Sequence, residues 1–593
     1  MKTNVISKQS DDSPGLDEFQ LQRLTQAIQG LSSPQLSWAS GYLAAISQSQ
    51  PALNDPAATI RVTILYASHT GNGRTIAEQL AAEASTKGLS SRILSIADFK
   101  PRELSREQIL ILVVSTHGEG EPPESAAEFQ RYLFSERAPQ LKQLSFSVFA
   151  LGDSSYEYFC QAGKDIDARL QQLGATALLP RVDADVSFQQ QASDWSHRVI
   201  QQAAERIPAT LSNVVNLAPR TAAQRIDRNH PYAATLLENR RLTTDDAIAD
   251  VRHLVLQIDP QAIQYQPGDA LGVWHKNDPL LVQEIIMASG LSAQQTVTID
   301  AKLMSLTLAL QEKLELTLLH PTVVNNWARF NPAAALVELI RNKSRLRAYA
   351  EQRQLIDLIN EFPAQPTAQA LVDSLQALQP RLYSIACSQQ LQPDEVHLTV
   401  SALQYEAHGR SHQGSASGHL STRLTEDDIT GVYLAENSQF RLPEDHSTPI
   451  IMIGAGTGIA PYRAFLQQRQ ADAASGKNWL IFGNRHFRRD FLYQQDWINL
   501  RKAGVLNRVS LAFSRDTTTR AYIQHRLLED GAEIYQWLQQ GARLYVCGGM
   551  AMEQAVQQAI NEIAVRYGAA DAHKAETFIE NLRAQGRYLR DVY

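Results

Sequence analysis

The 593-residue chain is predicted to be a multidomain α/β protein. A doubly wound parallel sheet comes first, then an antiparallel β-barrel with a helical insertion, then a second nucleotide-binding parallel sheet. Three observations predict this. The length exceeds what one hydrophobic core organises. Near-continuous apolar runs alternate with helical segments in two separate regions, as expected of strands buried on both faces of a sheet. Between those regions lie strands of alternating polarity, divided by a Leu- and Ala-rich stretch at helical spacing.

Residues 1–59 open the chain with Leu21, Leu24, Ile28 and Leu31 at helical spacing. Ser33-Pro34 then reads as a cap followed by the first residue of a second helix, whose apolar face is Trp38, Tyr42, Leu43 and Ile46. Residues 47–58, with Pro51 and Pro56, read as a tether. A helical pair too small for its own core serves docking or self-association, or is an incidental appendage.

Residues 60–207 form the first sheet domain, with strands at 62–67, 109–115 and 148–151. Residues 208–231, without clear periodicity, form a linker. Residues 232–446 form the barrel, with strands at 253–258 and 396–401 and a helical insertion at about 277–370. Residues 447–593 form the last domain, with strands at 450–453, 479–482, 509–513 and 544–546.

The net charge of −7 argues against a nucleic-acid partner, because phosphate binding calls for basic surface. The apolar run at 109–114 stops far short of membrane-spanning length, and Met1-Lys2-Thr3-Asn4-Val5 lacks an apolar signal core. A cytoplasmic protein is therefore expected. Cys160, Cys387 and Cys547 are too far apart in sequence to form a ligand-spaced pair. Three cysteines cannot hold a four-thiolate iron–sulfur cluster, and no zinc-site spacing occurs, so metal chemistry would sit on another chain.

Three loops in the first sheet domain follow strand ends. Ser68-His69-Thr70-Gly71-Asn72-Gly73 joins a buried strand to a helix beginning near Asn72. A helix N-terminus supplies unpaired amides and a positive dipole end, and Ser68, Thr70 and Thr75 add hydroxyls, which suits a phosphate dianion. The Gly-Lys-Ser/Thr ending of a nucleotide-hydrolysing P-loop is missing. The second loop is Ser115-Thr116-His117-Gly118, continuing through Glu119. The third is Leu151-Gly152-Asp153-Ser154-Ser155-Tyr156-Glu157-Tyr158-Phe159, followed by Cys160. Ligands in open parallel sheets bind outside the carboxyl ends of strands, so the three loops are expected to converge. His117 and Tyr156 are then placed to flank a planar ring. Glu119, Glu121, Glu124 and Glu128 form an acidic rim, either a steering surface for a basic partner domain or a solvated helix start.

In the barrel, Arg381-Leu382-Tyr383-Ser384 combines a bidentate cation, a flat amphipathic stacker and a small hydroxyl. Gly414-Ser415-Ala416-Ser417 supplies a phosphate loop before a helix-like stretch. In the last domain, Gly454-Ala455-Gly456-Thr457-Gly458 follows a buried strand and, with Pro461, opens a helix as a pyrophosphate site. Ser514-Arg515 and Arg520-Ala521-Tyr522-Ile523-Gln524 lie where the sheet's crevice is expected. Cations there favour a ribose phosphate, hence NADPH, whereas NAD would favour an acid.

These motifs resemble the diflavin reductase family, in which a flavodoxin-like FMN domain is fused to a ferredoxin-NADP reductase-like module. That module is an antiparallel β-barrel FAD domain with a helical insertion, then a Rossmann-like NADPH domain. The resemblance covers nearly the whole chain and is closest to the flavoprotein components of bacterial NADPH–sulfite reductases. Its supports there include Pro34 to Trp38, Phe440-Arg441-Leu442-Pro443, Phe491-Leu492-Tyr493-Gln494 and the ending Tyr588 to Tyr593.

The resemblance implies FMN contacts from the three loops of the first domain. It implies FAD contacts from Thr317, Arg381, Leu382, Tyr383, Ser384, Thr399, Val400, Ser401, Tyr405, Gly414, Ser415, Ala416, Ser417 and Tyr593. It implies NADP contacts from Gly454, Gly456, Thr457, Gly458, Ser514, Arg515, Arg520, Ala521, Tyr522, Ile523 and Gln524. Ser384, Cys547 and Asp591 are the implied catalytic group beside the nicotinamide, and Tyr593 the aromatic that covers FAD until nicotinamide displaces it. This chain departs from the family where His117 replaces a common tyrosine. It departs again after Cys547, where Gly549 and Ala555 stand nearest to positions that usually carry acids and the loop is shorter.

The implied reaction runs from NADPH to FAD to FMN. Electrons then pass to a separate sirohaem and iron–sulfur subunit that reduces sulfite to sulfide, with the flavoprotein oligomeric through its N-terminal segment. The alternative is a stand-alone NADPH diflavin reductase serving haem proteins or other one-electron acceptors.

Overall fold

The computed structural model of the protein describes residues 62–68, 71–117, 120–154, 156–206, 226–568 and 572–593. The N-terminal helical pair, most of the linker, and His69, Thr70, Gly118, Glu119 and Ser155 lie outside the described residues.

The first sheet uses β1 (Val62–Ala67), β2 (Ser91–Ser95), β3 (Ile109–Ser115), β4 (Ser145–Leu151), β5 (Thr176–Ala177) and β6 (Val182–Ala184). Their order is β2-β1-β3-β4-β5 with β6 also on β4, all parallel. The 2-1-3-4-5 order is one of the two common doubly wound arrangements. β3 and β4 are almost wholly buried, because helices cover both faces. Register is strict: Val62 pairs with Ile109 and Ile109 with Ser145, which brings the carboxyl ends of β1, β3 and β4 level.

The second sheet contains β7 (Tyr232–Arg241), β8 (Asp250–Gln257) and β9 (Ala270–Val273) before the insertion. The insertion holds the hairpin β10 (Thr296–Ile299) and β11 (Lys302–Ser305), with helices running from Pro279–Ala288 to Ala368–Ser374 around their own core of Leu306, Trp327 and Leu358. After it come β12 (Arg381–Ser384), β13 (Glu395–Ala402), the hairpin β14 (Gln404–Ala407) and β15 (Arg410–Gln413), and β16 (Ile429–Ala435). The sheet order β12-β9-β16-β7-β8-β13 is antiparallel throughout. An Ile385–Leu398 bridge brings the two ends together and closes the barrel. Inward residues Leu254, Leu256, Leu271, Val273, Leu398 and Val400 fill it.

The third sheet contains β17 (Ile450–Ala455), β18 (Asn478–Asn484), β19 (Arg508–Phe513), β20 (Arg543–Gly548) and β21 (Tyr588–Val592), parallel in the order β19-β18-β17-β20-β21. Alternate residues face opposite cores: Ile451, Ile453, Leu544 and Val546 on one side, Ile450, Met452, Tyr545 and Cys547 on the other. The second core also takes Val251 and Phe440 from the barrel region, so barrel and sheet share one apolar seam. Among the described residues, no helix is long and apolar enough to cross a membrane, and no cluster of His, Cys, Asp and Glu could hold a metal ion.

Candidate functional site

The loops after β1, β3 and β4 converge. Ser115 Oγ donates to the Ala67 carbonyl at 3.1 Å, and Thr116 N–H to the Leu151 carbonyl at 2.8 Å. Thr116 Oγ1 accepts from Ala162 N–H at 3.3 Å, tying the second loop to the helix after the third. The helix Asn72–Thr86 begins on Gly71 at φ 79°, with no side-chain cap and no acid in its first turn. Its leading amides therefore stay free for an anion. A Cβ on Gly73 would come 2.8 Å from the Ser68 Cβ, so only glycine lets the turn close this tightly. The buried Ser68 hydroxyl has no hydrogen-bond partner. An orphaned hydroxyl beside an uncapped helix start fits a phosphate, as FMN would supply.

In the third loop, Ser154 donates through its N–H (3.0 Å) and its hydroxyl to the Asp185 carboxylate. Tyr156 is half-buried, while His117 and Tyr158 are exposed and Tyr158 packs over Gly120. Leu151 is nearly buried at the end of β4, and the Phe159 carbonyl accepts from Lys164 at 2.6 Å. Cys160, expected among the FMN contacts, has its side chain engaged elsewhere. The Cys160 thiol turns into the core and donates to the Ala150 and Ala184 carbonyls, and burial pushes its pKa up to about 12. Cys160 sits at a left-handed φ of 55° at the start of helix Gln161–Gln172, its thiol packed against the carbonyls of β4 and β6. Glu121 and Glu128 of the acidic rim are exposed.

At the barrel edge, β12 presents an exposed Arg381 and half-buried Tyr383 and Ser384. Ser415 of the predicted phosphate loop donates to Asn277 Oδ1 at 2.6 Å, and Asn277 Nδ2 donates to the Leu310 and Leu314 carbonyls. Ser417 Oγ accepts from Leu403 N–H at 3.1 Å, and Gly414 N–H donates to the Leu403 carbonyl at 2.9 Å. The stretch predicted as helix-like is a short helix, Ser415–Gly418, followed by a π-turn, His419–Arg423. Arg423 donates to the Ser415 and Lys276 carbonyls and leaves Nε and one terminal nitrogen without hydrogen bonds. Arg423, tied to the 414–417 loop with two nitrogens free of hydrogen bonds, and the exposed Arg381 of β12 supply guanidinium donors that fit the pyrophosphate of FAD.

Several expected FAD contacts are committed elsewhere. The Thr399 hydroxyl meets Tyr493 OH at 2.7 Å inside the seam between barrel and third sheet. Val400 lies in the barrel core, so of this trio only the Ser401 side chain is exposed. The alternation of a strand enforces this: three consecutive residues cannot all face one ligand. Tyr405 stacks on His412, with ring centroids 5.0 Å apart and planes at 9°, and His412 bonds the buried Asp357. Thr317 donates to Glu315 at 2.9 Å.

The third site forms where β17 and β20 end side by side. A Cβ on Gly458 would lie 2.2 Å from the Cys547 carbonyl oxygen, and one on Gly454 would lie 2.8 Å from the Gly458 carbonyl oxygen. Gly456 at φ 55° and Gly548 at φ 144° adopt backbone that glycine tolerates best. Pro461 stands in the first turn of helix Ala460–Ala471, as a helix start prefers. β20 and β21 pair Cys547 with Asp591. Ser384 donates to Asp591 Oδ2 at 2.9 Å, and the Cys547 thiol reaches the same oxygen at 3.8 Å. Thus β12, β20 and β21, from two domains, converge on one carboxylate. Burial, then the Asp591 charge, pushes Cys547 well above the ordinary thiol range, so it stays protonated.

Tyr593 is 63% exposed, and its hydroxyl meets Thr457 Oγ1 at 2.9 Å, so the expected FAD cover touches the pyrophosphate turn. Ser514 follows β19 and bonds the Asn484 carbonyl, while Arg515 and Arg520 are exposed. Within 520–524, Ile523 instead packs into the core of the third sheet, and Tyr522 is exposed. Helix Ile523–Glu529 starts there and must bury one residue of its first turn against Gly483.

Four residues outside the motifs reach these sites from afar: Asp185 on Ser154, Asn277 on Ser415, His320 on Asp153 and Arg347 on Tyr156. Asn277 alone carried a local hint, as it follows a barrel strand directly before the Asp278 cap of helix Pro279–Ala288.

Taken together, the sites define a nicotinamide-linked oxidoreductase with two flavin modules on one chain. A flavodoxin model matches residues 64–195, an FAD binding domain model residues 224–327 and 334–419, and an oxidoreductase NAD-binding domain model residues 452–558. The chain is 43% identical over 587 residues to the sulfite reductase (NADPH) flavoprotein alpha-component of Escherichia coli O157:H7. It is 44% identical to the proteins of that name from Citrobacter koseri, over 589 residues, and Cronobacter sakazakii, over 591. Each match covers 98% of this chain and 98% of the relative. The chain belongs to the sulfite reductase (NADPH) flavoprotein alpha-component family, and its cofactors are FMN, FAD and NADPH.

Proposed function

We propose that the protein is the flavoprotein component of an NADPH-dependent sulfite reductase. It draws electrons from NADPH and passes them to a separate sirohaem and iron–sulfur subunit, in the cytoplasm. The observation that carries this reading is the Ser384–Asp591–Cys547 cluster at the edge of the FAD barrel, beside the pyrophosphate turn and on the same chain as the FMN loops. FAD bound at the barrel would supply two-electron chemistry toward NADPH, and FMN bound at the first domain would supply one-electron transfer.

The chain's own residues bind and orient. Arg381, Arg423 and the 414–417 loop hold the FAD pyrophosphate, and Ser68 with the start of helix Asn72–Thr86 holds the FMN phosphate. Gly454 to Gly458 receives the NADPH pyrophosphate, and Arg515 and Arg520 the ribose phosphate. Ser384 keeps its proton on a hydrogen bond to Asp591. That carboxylate, next to a thiol whose burial keeps it protonated, is placed to balance positive charge on a nicotinamide ring. Tyr593, held by its contact with Thr457, would cover the FAD until nicotinamide displaces it.

The domain limits proposed are 60–207, 232–446 and 447–593, with 208–231 as a hinge and 1–59 as the self-association segment. The test is cofactor release followed by reconstitution. The purified chain yields one FMN and one FAD, is bleached by NADPH, and releases sulfide when mixed with the sirohaem subunit and sulfite. A chain carrying a single kind of flavin, or one that forms no sulfide with that subunit, defeats the reading.

A further inference from the structure

The third loop of the FMN site is gripped from outside by the helical insertion of the FAD barrel. Helix Lys343–Glu351 is seated by buried Leu346, Tyr349 and Ala350, and Asn342 caps its start by accepting from Arg345 N–H. Arg347 projects from it. Its Nε donates to Glu351 at 2.9 Å, which holds the side chain in place. Its guanidinium carbon lies 3.8 Å from the centroid of the Tyr156 ring. A second contact lies close by. His320 Nδ1 accepts from Thr322 N–H at 3.1 Å, so the ring proton sits on Nε2, which meets Asp153 Oδ1 at 3.1 Å. Asp153 and Tyr156 belong to one turn, closed by Tyr156 N–H to the Asp153 carbonyl at 3.1 Å. Ser154, between them, is tied to Asp185 within the first domain.

An aromatic ring has two usable faces, and a cation takes one of them. We propose that Arg347 is a positioning residue of the FMN site supplied by the other flavin module. Its guanidinium covers one face of Tyr156 and sets the loop so that the opposite face serves as the platform for the isoalloxazine. This rests on the FMN assignment of the 151–160 loop made above. It follows that FMN retention is coupled to contact between the modules, while FAD retention is not. Among the described residues, none of the FAD residues named above bonds to Arg347 or Tyr156.

The test uses the full chain, depleted of FMN and titrated with FMN while its fluorescence quenching is followed, with FAD content measured in parallel. A partly exposed cation–π contact corresponds to roughly a two- to fivefold change in a binding constant. Arg347→Gln is expected to weaken FMN binding by that factor at low salt with FAD content unchanged. Arg347→Lys recovers part of the loss, since it restores charge without the planar group. On a Tyr156→Leu background, Arg347→Gln adds nothing further, which a general loosening of the insertion does not predict. The reduction midpoint of FMN, and not that of FAD, moves negative in Arg347→Gln, because a cation near the ring is lost. Unchanged FMN affinity and midpoint in Arg347→Gln, or equal weakening of both flavins, overturns the inference. Failure of the wild-type chain to take up any FMN overturns the FMN assignment itself.

Discussion

Gly458 is the position at which one added methyl group should uncouple NADPH binding from both flavins. An alanine Cβ there would sit 2.2 Å from the Cys547 carbonyl oxygen, 2.7 Å from its carbon and 3.1 Å from Gly548 Cα. Ordinary contact between such atoms begins more than an ångström farther out than the first of these. All three neighbours are backbone, so no side-chain rotation relieves the clash, and the turn must lift away from the end of β20. Overpacking of this kind costs about 1–3 kcal/mol. If that cost falls on the pyrophosphate turn, NADPH affinity drops roughly 5- to 150-fold. Gly456→Ala is the internal control. Its φ is 55°, but nothing lies within 4 Å of the new Cβ, so it carries only the left-handed strain of about 1–2 kcal/mol and moves no neighbour. The assay is anaerobic rapid mixing with NADPH, following loss of flavin absorbance as a function of NADPH concentration, with FMN and FAD content measured for each variant. Both flavins should be retained at wild-type levels in Gly458→Ala while half-saturation moves to higher NADPH. Wild-type half-saturation in Gly458→Ala alongside a clear loss in Gly456→Ala would refute the reasoning, because the effect would then track backbone strain and not the contact with β20.

Four further outcomes are expected. Ser384→Ala removes the donor to Asp591 and should slow flavin reduction at saturating NADPH by roughly tenfold or more, about 1.4 kcal/mol of barrier, with half-saturation little changed. Arg515→Ala should weaken NADPH by roughly tenfold and leave NADH unaffected, measured by steady-state kinetics with each nucleotide; equal losses would remove Arg515 from the ribose-phosphate site. Burial, the largest cause for each, lowers His253 to about 2, His275 to about 3 and His419 to about 4. These histidines stay neutral when folded but take protons near pH 6.5 when unfolded. Stability is therefore whole above that pH and falls as pH drops, by about 1.4 kcal/mol per unit per histidine. Melting temperatures should decline between pH 6.5 and 5, and less steeply in His253→Asn, whereas identical slopes would exclude His253. Shortening the 208–231 linker should slow reduction of an external acceptor more than reduction of FAD by NADPH; equal slowing would argue against a hinge there.

The glycine turns proposed to hold phosphate were readable as turns because each is a local device. A strand end, a glycine turn and a helix start must be contiguous in sequence, and Ser68 to Gly73 and Gly454 to Gly458 each contain all three. The same holds for the strand periodicities, since buried parallel strands such as β3 write their environment directly into six consecutive apolar residues. Side-chain facing within a matched stretch was less legible. Thr399, Val400 and Ile523 were grouped with their neighbours as ligand contacts, yet strand alternation and the packing needs of a helix start turn them toward the seam and the cores. Cys160 looked like part of a loop, yet its thiol packs against the carbonyls of β4 and β6.

By itself, then, the amino-acid order determined the succession of sheet, barrel and sheet, the glycine turns between strand and helix, and the cofactor set of FMN, FAD and NADPH. These depend on residues a few positions apart, where hydrogen-bonding and periodicity rules act without knowledge of the rest of the chain. Only the tertiary structure decided which distant groups meet. It joined His320 to Asp153 across 167 positions, and it laid Arg347 on Tyr156. Such pairings carry no local signature, because they are set by how closed sheets and an anchored helix stack in space, and the side chains involved are ordinary polar residues until the fold brings their partners within reach.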